Sequence, residues 1–245
     1  INEKTKIITV GHVSNVLGTI HPVKKIIEMA HQKNVPVFVD GAQAVQHMKV
    51  DVLDLDADFY AFSAHKMYGP NGVGVLYGKK KWLDELPPYQ GGGEMISEVS
   101  FEKTTFNEIP FKFEAGTPNI TSVIAFGAAI DFLEETGLNT ISAWEQELLK
   151  YATKKLKEIE GLKIFFFSSQ KSGVISFYIE GVHHYDLGML LDKSGFAVRT
   201  GHHCAEPVMN HYDISGTVRV SFGMYNTKEE IDKLVQTIIK LKAMF

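Results

Sequence analysis

Hydrophobic and polar positions along this chain fall into two rhythms. In the first half, short apolar runs of strand length recur at residues 6–13, 35–39, 58–62 and 73–77. Between the first two runs, apolar residues at 23, 26, 27 and 30 share one helical face. Pro22 opens that helix, where an absent N–H costs no hydrogen bond. Runs of this kind, alternating with helices, predict a βαβ architecture around a mainly parallel sheet. Lys79-Lys80-Lys81 reads as the solvated start of a further helix. Residues 97–115 show little periodicity, and Phe101, Phe106, Phe111 and Phe113 within them need something to pack on, a partner interface being one option.

From Ser122 the pattern changes to long helices. Helices are predicted over 122–136 and 140–159, the second with Leu148, Leu149, Ala152 and Leu156 on one face. Strands follow at 162–167 and 174–179, then a helix at 184–194, a short strand at Ala197-Val198 and another at 217–221. The last helix has a capping box, Thr227 with Glu230, ahead of the stripe Ile231, Leu234, Val235, Ile238 and Leu241. The fold class is therefore α/β, with a large domain over 1–125 and a smaller C-terminal α/β domain over 126–245.

Composition sharpens this picture without changing it. A chain of 245 residues, 44% hydrophobic and 22% charged, holds one large or two modest cores. A net charge of −4 with no long basic cluster argues against a nucleic-acid partner. No apolar run reaches membrane-spanning length, and none reads as a signal peptide. The single cysteine rules out an internal disulfide, which suits a reducing, cytoplasmic setting.

The candidate chemistry sits where strands end. The run at 58–62 stops at Ser63-Ala64-His65-Lys66, followed by turn residues through Gly72. A lysine leaving a buried strand reads about equally as a snorkelling side chain at a strand terminus and as one desolvated toward its neutral, nucleophilic form, able to join a carbonyl as a Schiff base. The run at 35–39 ends in Asp40-Gly41-Ala42-Gln43. In an open α/β sheet the carboxyl ends of neighbouring strands converge on one crevice, so Asn15, just past the first strand, is expected there with Asp40. Taken alone, Asp40 reads as a helix N-cap, which is very common after a strand, and Asn15 reads better as a turn residue. Gly69, Gly72 and Gly74 imitate a dinucleotide loop but precede a strand, so that reading fails on context. Gly91-Gly92-Gly93 marks a backbone-exposed, mobile stretch. Cys204 lies in a loop sequence between two histidines and Glu206-Pro207, with Arg199 nearby, where positive neighbours favour a thiolate. A zinc site there lacks a second ligand pair.

Val39-Asp40-Gly41-Ala42-Gln43 with Ser63-Ala64-His65-Lys66 resembles the pyridoxal phosphate-binding core of the class V aminotransferase family. The run Arg199-Thr200-Gly201-His202-His203-Cys204-Ala205-Glu206-Pro207 narrows the likeness to group II cysteine desulfurases, which include sulfur-mobilisation enzymes and selenocysteine lyases. The likeness extends from about Thr5 to the C-terminus. It implies a pyridoxal phosphate-dependent, transferase-like large domain and a set of roles. Lys66 would hold the cofactor aldehyde and shuttle the substrate Cα proton. Asp40 would keep the ring nitrogen protonated, and Gln43 would reach its phenolic oxygen. Ser63 and His65 would bind phosphate, though His65 fits a hydrogen-bonded structural role equally well. Asn15 would lie near cofactor and substrate. Thr117, by the bare sequence equally a turn ahead of a helix, would serve the phosphate of a neighbouring subunit in a homodimer. Arg219, helped by Arg199, would grip the carboxylate of L-cysteine, and Cys204 would take its sulfur as a persulfide. A dedicated acceptor protein feeding iron–sulfur cluster assembly is implied. So is an N-terminal part, absent here, carrying a phosphate-binding turn and a ring-stacking histidine. Selenocysteine lyase or cysteine-sulfinate desulfinase activity fits the same motifs. An inactive fragment or binding scaffold of the same fold is the non-enzymatic alternative.

Overall fold

A computed structural model describes residues 1–165 and 170–245. The chain divides into two compact units. The first comprises residues 1–12, 22–46 and 50–135; the second comprises 13–21, 47–49 and 136–245. The boundary expected after residue 125 falls inside a continuous helix, Ile120–Thr136, all but the last residue of which belongs to the first unit. Among the described residues, no helix is long and apolar enough to cross a membrane.

The first unit is built on a four-stranded sheet in sequence order, β1 (Ile8–Gly11), β2 (Val37–Asp40), β3 (Phe59–Ser63) and β4 (Gly74–Gly78). The first three strands run parallel and β4 antiparallel, so the sheet is mainly parallel as its alternation predicts. The reversal has a local cause. The link from β3 to β4 is one 3₁₀ turn and a loop, too short for a helical crossover. Helix α1 (Val23–His31) presents Val23, Ile27 and Ala30 to Val37, Val39, Ala57 and Tyr60. Each large apolar side chain buried in this way contributes roughly 1.5–3 kcal/mol. The stretch read as aperiodic holds an exposed ribbon, β5 (Ile96–Val99) against β6 (Thr104–Phe106). Helices α2 (Val52–Leu55) and α3 (Lys80–Glu85) flank β3 in sequence, and Ile120–Thr136 is α4.

One buried carboxylate pins three of these elements. Asp58, 1% exposed, accepts from His31 Nε2 (2.7 Å) and Val37 N (2.9 Å) through Oδ2, and from Trp82 Nε1 (2.8 Å) through Oδ1. Burial pushes its pKa up, but the bonds from His31, Trp82 and Val37 outweigh that, and the net shift is below the ordinary 3.8. A depressed carboxylate stabilises the fold above its unfolded pKa and loses that contribution as pH falls through the lower, folded value. Asp58→Ala is therefore expected to cost about 3 kcal/mol at pH 7, with the difference shrinking below pH ~3.8. Urea unfolding of both proteins at the two pH values measures it.

The second unit carries an antiparallel sheet, ordered β7 (Leu162–Ile164), β8 (Val174–Ile179), β10 (Thr217–Ser221) and β9 (Arg199–Gly201). Helices α5 (Leu138–Lys157), α6 (His184–Lys193) and α8 (Lys228–Lys242) pack on it. Short α7 (Glu206–His211), unread in the sequence, follows the cysteine. The strand read over 162–167 appears as Leu162–Ile164, and its last two positions lie outside the described residues. The strand expected at Ala197-Val198 begins two residues later. Pairing with β10 (Arg219 opposite Arg199, Thr217 opposite Gly201) sets its position in place of the apolar dipeptide.

The link from β1 to α1 belongs to the second unit, and its contacts there explain why. Ser176 Oγ donates to Val16 O (2.6 Å) and Ser172 N to Gly18 O (2.7 Å). Asn15 therefore joins this second unit by virtue of its loop's own hydrogen bonds.

Candidate active site

In the first unit the carboxyl ends of β2 and β3 lie side by side, with Asp40 opposite Ala61 in register. Asp40 ends β2 and is exposed; its Oδ1 accepts from Ala42 N (2.9 Å), which turns the chain sharply. Gly41 N donates to Ala61 O (2.8 Å), locking that turn to β3. Only glycine fits position 41, because a Cβ there would stand 2.0 Å from the Tyr60 ring. The Tyr60 phenol meets His12 Nδ1 at 2.9 Å, and burial, then the Asp40 charge, raises its pKa. Gln43 is half-buried and accepts from Gln46.

Ser63 closes β3, half-buried, and its hydroxyl makes no capping bond to the 3₁₀ turn Ala64–Lys66. His65 and Lys66 sit on that turn and are both exposed. The desolvation expected of Lys66 is thus not supplied by the described residues: the amine leaves the strand on a turn facing solvent, while burial ends at Ala64 and resumes at Met67. Thr117 is exposed and follows Gly116, whose N–H donates to Gly93 O (2.9 Å) at φ +79°.

The second unit gathers the thiol and the arginines. Arg199 and Arg219 face one another as cross-strand partners on β9 and β10. None of the ion pairs among the described residues involves either guanidinium. Like charges directly opposite across a ladder are destabilising, so the pair is suited to an anion. Burial, then Arg199, lowers the Arg219 pKa, while Cys204 acts in the opposite sense. Arg219 Nη1 donates to Asn15 O at 2.8 Å, and its buried Nε has no partner among the described residues.

Cys204 is exposed on a turn in which both it (φ 60°) and His203 (φ 55°) are left-handed. Asn15 Nδ2 donates to His203 O at 2.6 Å. The His203 ring is 3% exposed, 2.8 Å from Thr217 Oγ1 through Nε2. Burial, then Arg219, drives its pKa down to about 4. This corrects one expectation: His203, buried and with its pKa lowered, does not supply a positive charge beside Cys204 at pH 7. The pair His202-His203 reads alike in sequence, yet His202 is exposed and His203 buried.

One residue here was misread in the sequence and another escaped it. His203 is a buried structural ring whose only signal was its place beside the thiol. Lys171 is 9% exposed, and burial alone lowers its pKa to about 8. Nothing in Gln170-Lys171-Ser172 distinguishes it from a surface lysine.

A mixed α/β sheet with acid and lysine at adjacent strand ends, and a unit with a thiol beside paired arginines, define a class that comparison makes specific. The chain belongs to the aminotransferase class-V family, whose model matches residues 1–234. It is 51% identical over all 245 residues to a probable cysteine desulfurase of Halalkalibacterium halodurans, covering 60% of that protein. It is 47% identical over 244 residues to a cysteine desulfurase of Wigglesworthia glossinidia brevipalpis, covering 99% of this chain and 59% of that one. Among solved structures it resembles the cysteine desulfurase CsdA (S-sulfonic acid) from Escherichia coli, with a TM-score of 0.96 at 40% identity, over 100% of this chain and 61% of that one. The apo cysteine desulfurase of Thermococcus onnurineus gives 0.94 at 40% identity, over 98% and 60%. The chain thus spans about 60% of the length of these relatives.

Proposed function

We propose that this protein is a pyridoxal phosphate-dependent cysteine desulfurase, converting L-cysteine to L-alanine and leaving the sulfur as a persulfide on Cys204. The observation that carries this reading is the Arg199–Arg219 pair, free of acid partners among the described residues, in the same compact unit as an exposed thiol.

The cofactor fits the strand ends of the first unit. Asp40 presents an exposed carboxylate from a rigid turn, suited to hold a pyridinium nitrogen protonated. Lys66 would carry the aldehyde, Ser63 and His65 would hold phosphate oxygens, and Gln43 would face the phenolic oxygen. When bound, the ring supplies an electron sink for the pair at the substrate Cα. Lys66 takes the Cα proton as general base. Arg219 binds the substrate carboxylate through donors other than the Nη1 bond to Asn15, with Arg199 adding charge opposite it. Cys204 thiolate attacks the substrate sulfur: the S–S bond forms, the Cβ–S bond breaks, and its electron pair stays on Cβ to be protonated.

Thr117, exposed on its turn, serves the phosphate of a second copy in a homodimer. The exposed Phe101, Phe106 and Phe111 give such a copy an apolar surface to cover. An acceptor protein draws the persulfide toward iron–sulfur cluster assembly in a cytoplasmic setting, as the exposure of Cys204 permits.

Full-length protein supplied with pyridoxal phosphate and L-cysteine should release alanine, with an equivalent of sulfide under reductant. No alanine would overturn the reading. Arg219→Ala is expected to lower kcat/KM for L-cysteine by ~10–100-fold, the worth of charge-assisted bonds to one carboxylate. Steady-state kinetics of alanine release checks it.

A further inference from the structure

Two consecutive left-handed residues, neither of them glycine, do not form a turn unaided. His203 at φ 55° and Cys204 at φ 60° occupy a region that disfavours side chains, and such conformations persist where their surroundings over-determine them. Three contacts do so here. The buried His203 ring is anchored on Thr217 Oγ1 at the start of β10 (2.8 Å). The His203 carbonyl, in the peptide leading into Cys204, accepts from Asn15 Nδ2 (2.6 Å). Asn15 in turn offers its own carbonyl to Arg219 Nη1 (2.8 Å). The guanidinium, the Asn15 residue and the peptide preceding the thiol thus form one hydrogen-bonded chain, inside a single compact unit. A residue whose amide is committed to a loop carbonyl is occupied differently from one that contacts substrate.

We propose that Asn15 and His203 are positioning residues for sulfur transfer: they fix the peptide before Cys204 and tie it to Arg219, so that the thiol is presented for attack. The inference rests on the desulfurase reading. It separates two steps of that reaction, because the brace acts on the thiol and leaves proton removal at Cα alone.

L-Cysteine sulfinate makes the separation measurable. Its Cβ–S bond breaks with departure of sulfur dioxide, the electron pair stays on Cβ and is protonated, and no thiol attacks. In the full-length, cofactor-loaded protein, His203→Ala should lower kcat for L-cysteine by ~10–100-fold, as for a misplaced reacting group, with KM within about twofold. Turnover of the sulfinate and the bound-cofactor spectrum should stay within about twofold of the parent. Thr217→Val, which removes only the anchor's partner oxygen, should shift the same ratio in the same direction and carries the comparison where His203→Ala fails to fold. Equal losses on both substrates, or no loss on L-cysteine, would overturn the positioning role. A parent protein inactive on both substrates would instead overturn the desulfurase reading, and this inference with it.

Discussion

Cys204→Ser is expected to abolish alanine formation from L-cysteine, by on the order of 10³-fold or more, while leaving cofactor binding intact. A serine hydroxyl at neutral pH is neither ionised nor a sulfur-seeking nucleophile, so no S–S bond forms and the Cβ–S bond stays closed. The turn should survive, since its left-handed geometry is held through His203 and Asn15 and does not depend on the thiol. Mass spectrometry after brief exposure to L-cysteine should show one added sulfur on the parent and none on the variant. Undiminished alanine release by the variant would refute the role of Cys204.

Lys66→Ala has an effect of similar size for a different reason. It removes both the proposed attachment point and the proposed general base, and loss of a base alone costs ~10²–10⁴-fold. Alanine release should fall below detection, and the visible absorbance of bound cofactor should be lost on gel filtration. Because Lys66 is exposed on a turn, stability should change by less than about 0.5 kcal/mol, so lost activity would not reflect unfolding.

Much of this was legible where one physical signal dominated. Strand β8 was predicted at its observed bounds because Val174–Ile179 is apolar and buried at five of six positions. The capping box of α8 was readable because Thr227 and Glu230 satisfy each other's backbone locally. The ends of β2 at Asp40 and of β3 at Ser63 were readable because strand ends in an α/β sheet are marked by abrupt loss of hydrophobicity. What stayed illegible was set by pairing or by tertiary contact. The β5–β6 ribbon is exposed on most positions, so it carries no burial pattern. Strand β9 begins at an arginine because β10 is opposite it. The commitment of Asn15 to His203, 188 positions away, has no trace in local sequence. The burial of Lys171 is equally silent, since it arises from packing against Gly18 and its neighbours.

That last residue sets the terms of the most direct test. Of the two lysines, Lys171 is the buried one with a pKa lowered to about 8, whereas Lys66, exposed on the 3₁₀ turn that follows β3, is the one proposed to hold the cofactor. Full-length protein incubated with pyridoxal phosphate, reduced with borohydride, digested and mapped by mass spectrometry should carry the pyridoxyl group on the peptide containing Lys66. A label on Lys171 with none on Lys66, or no label at all, would contradict the account.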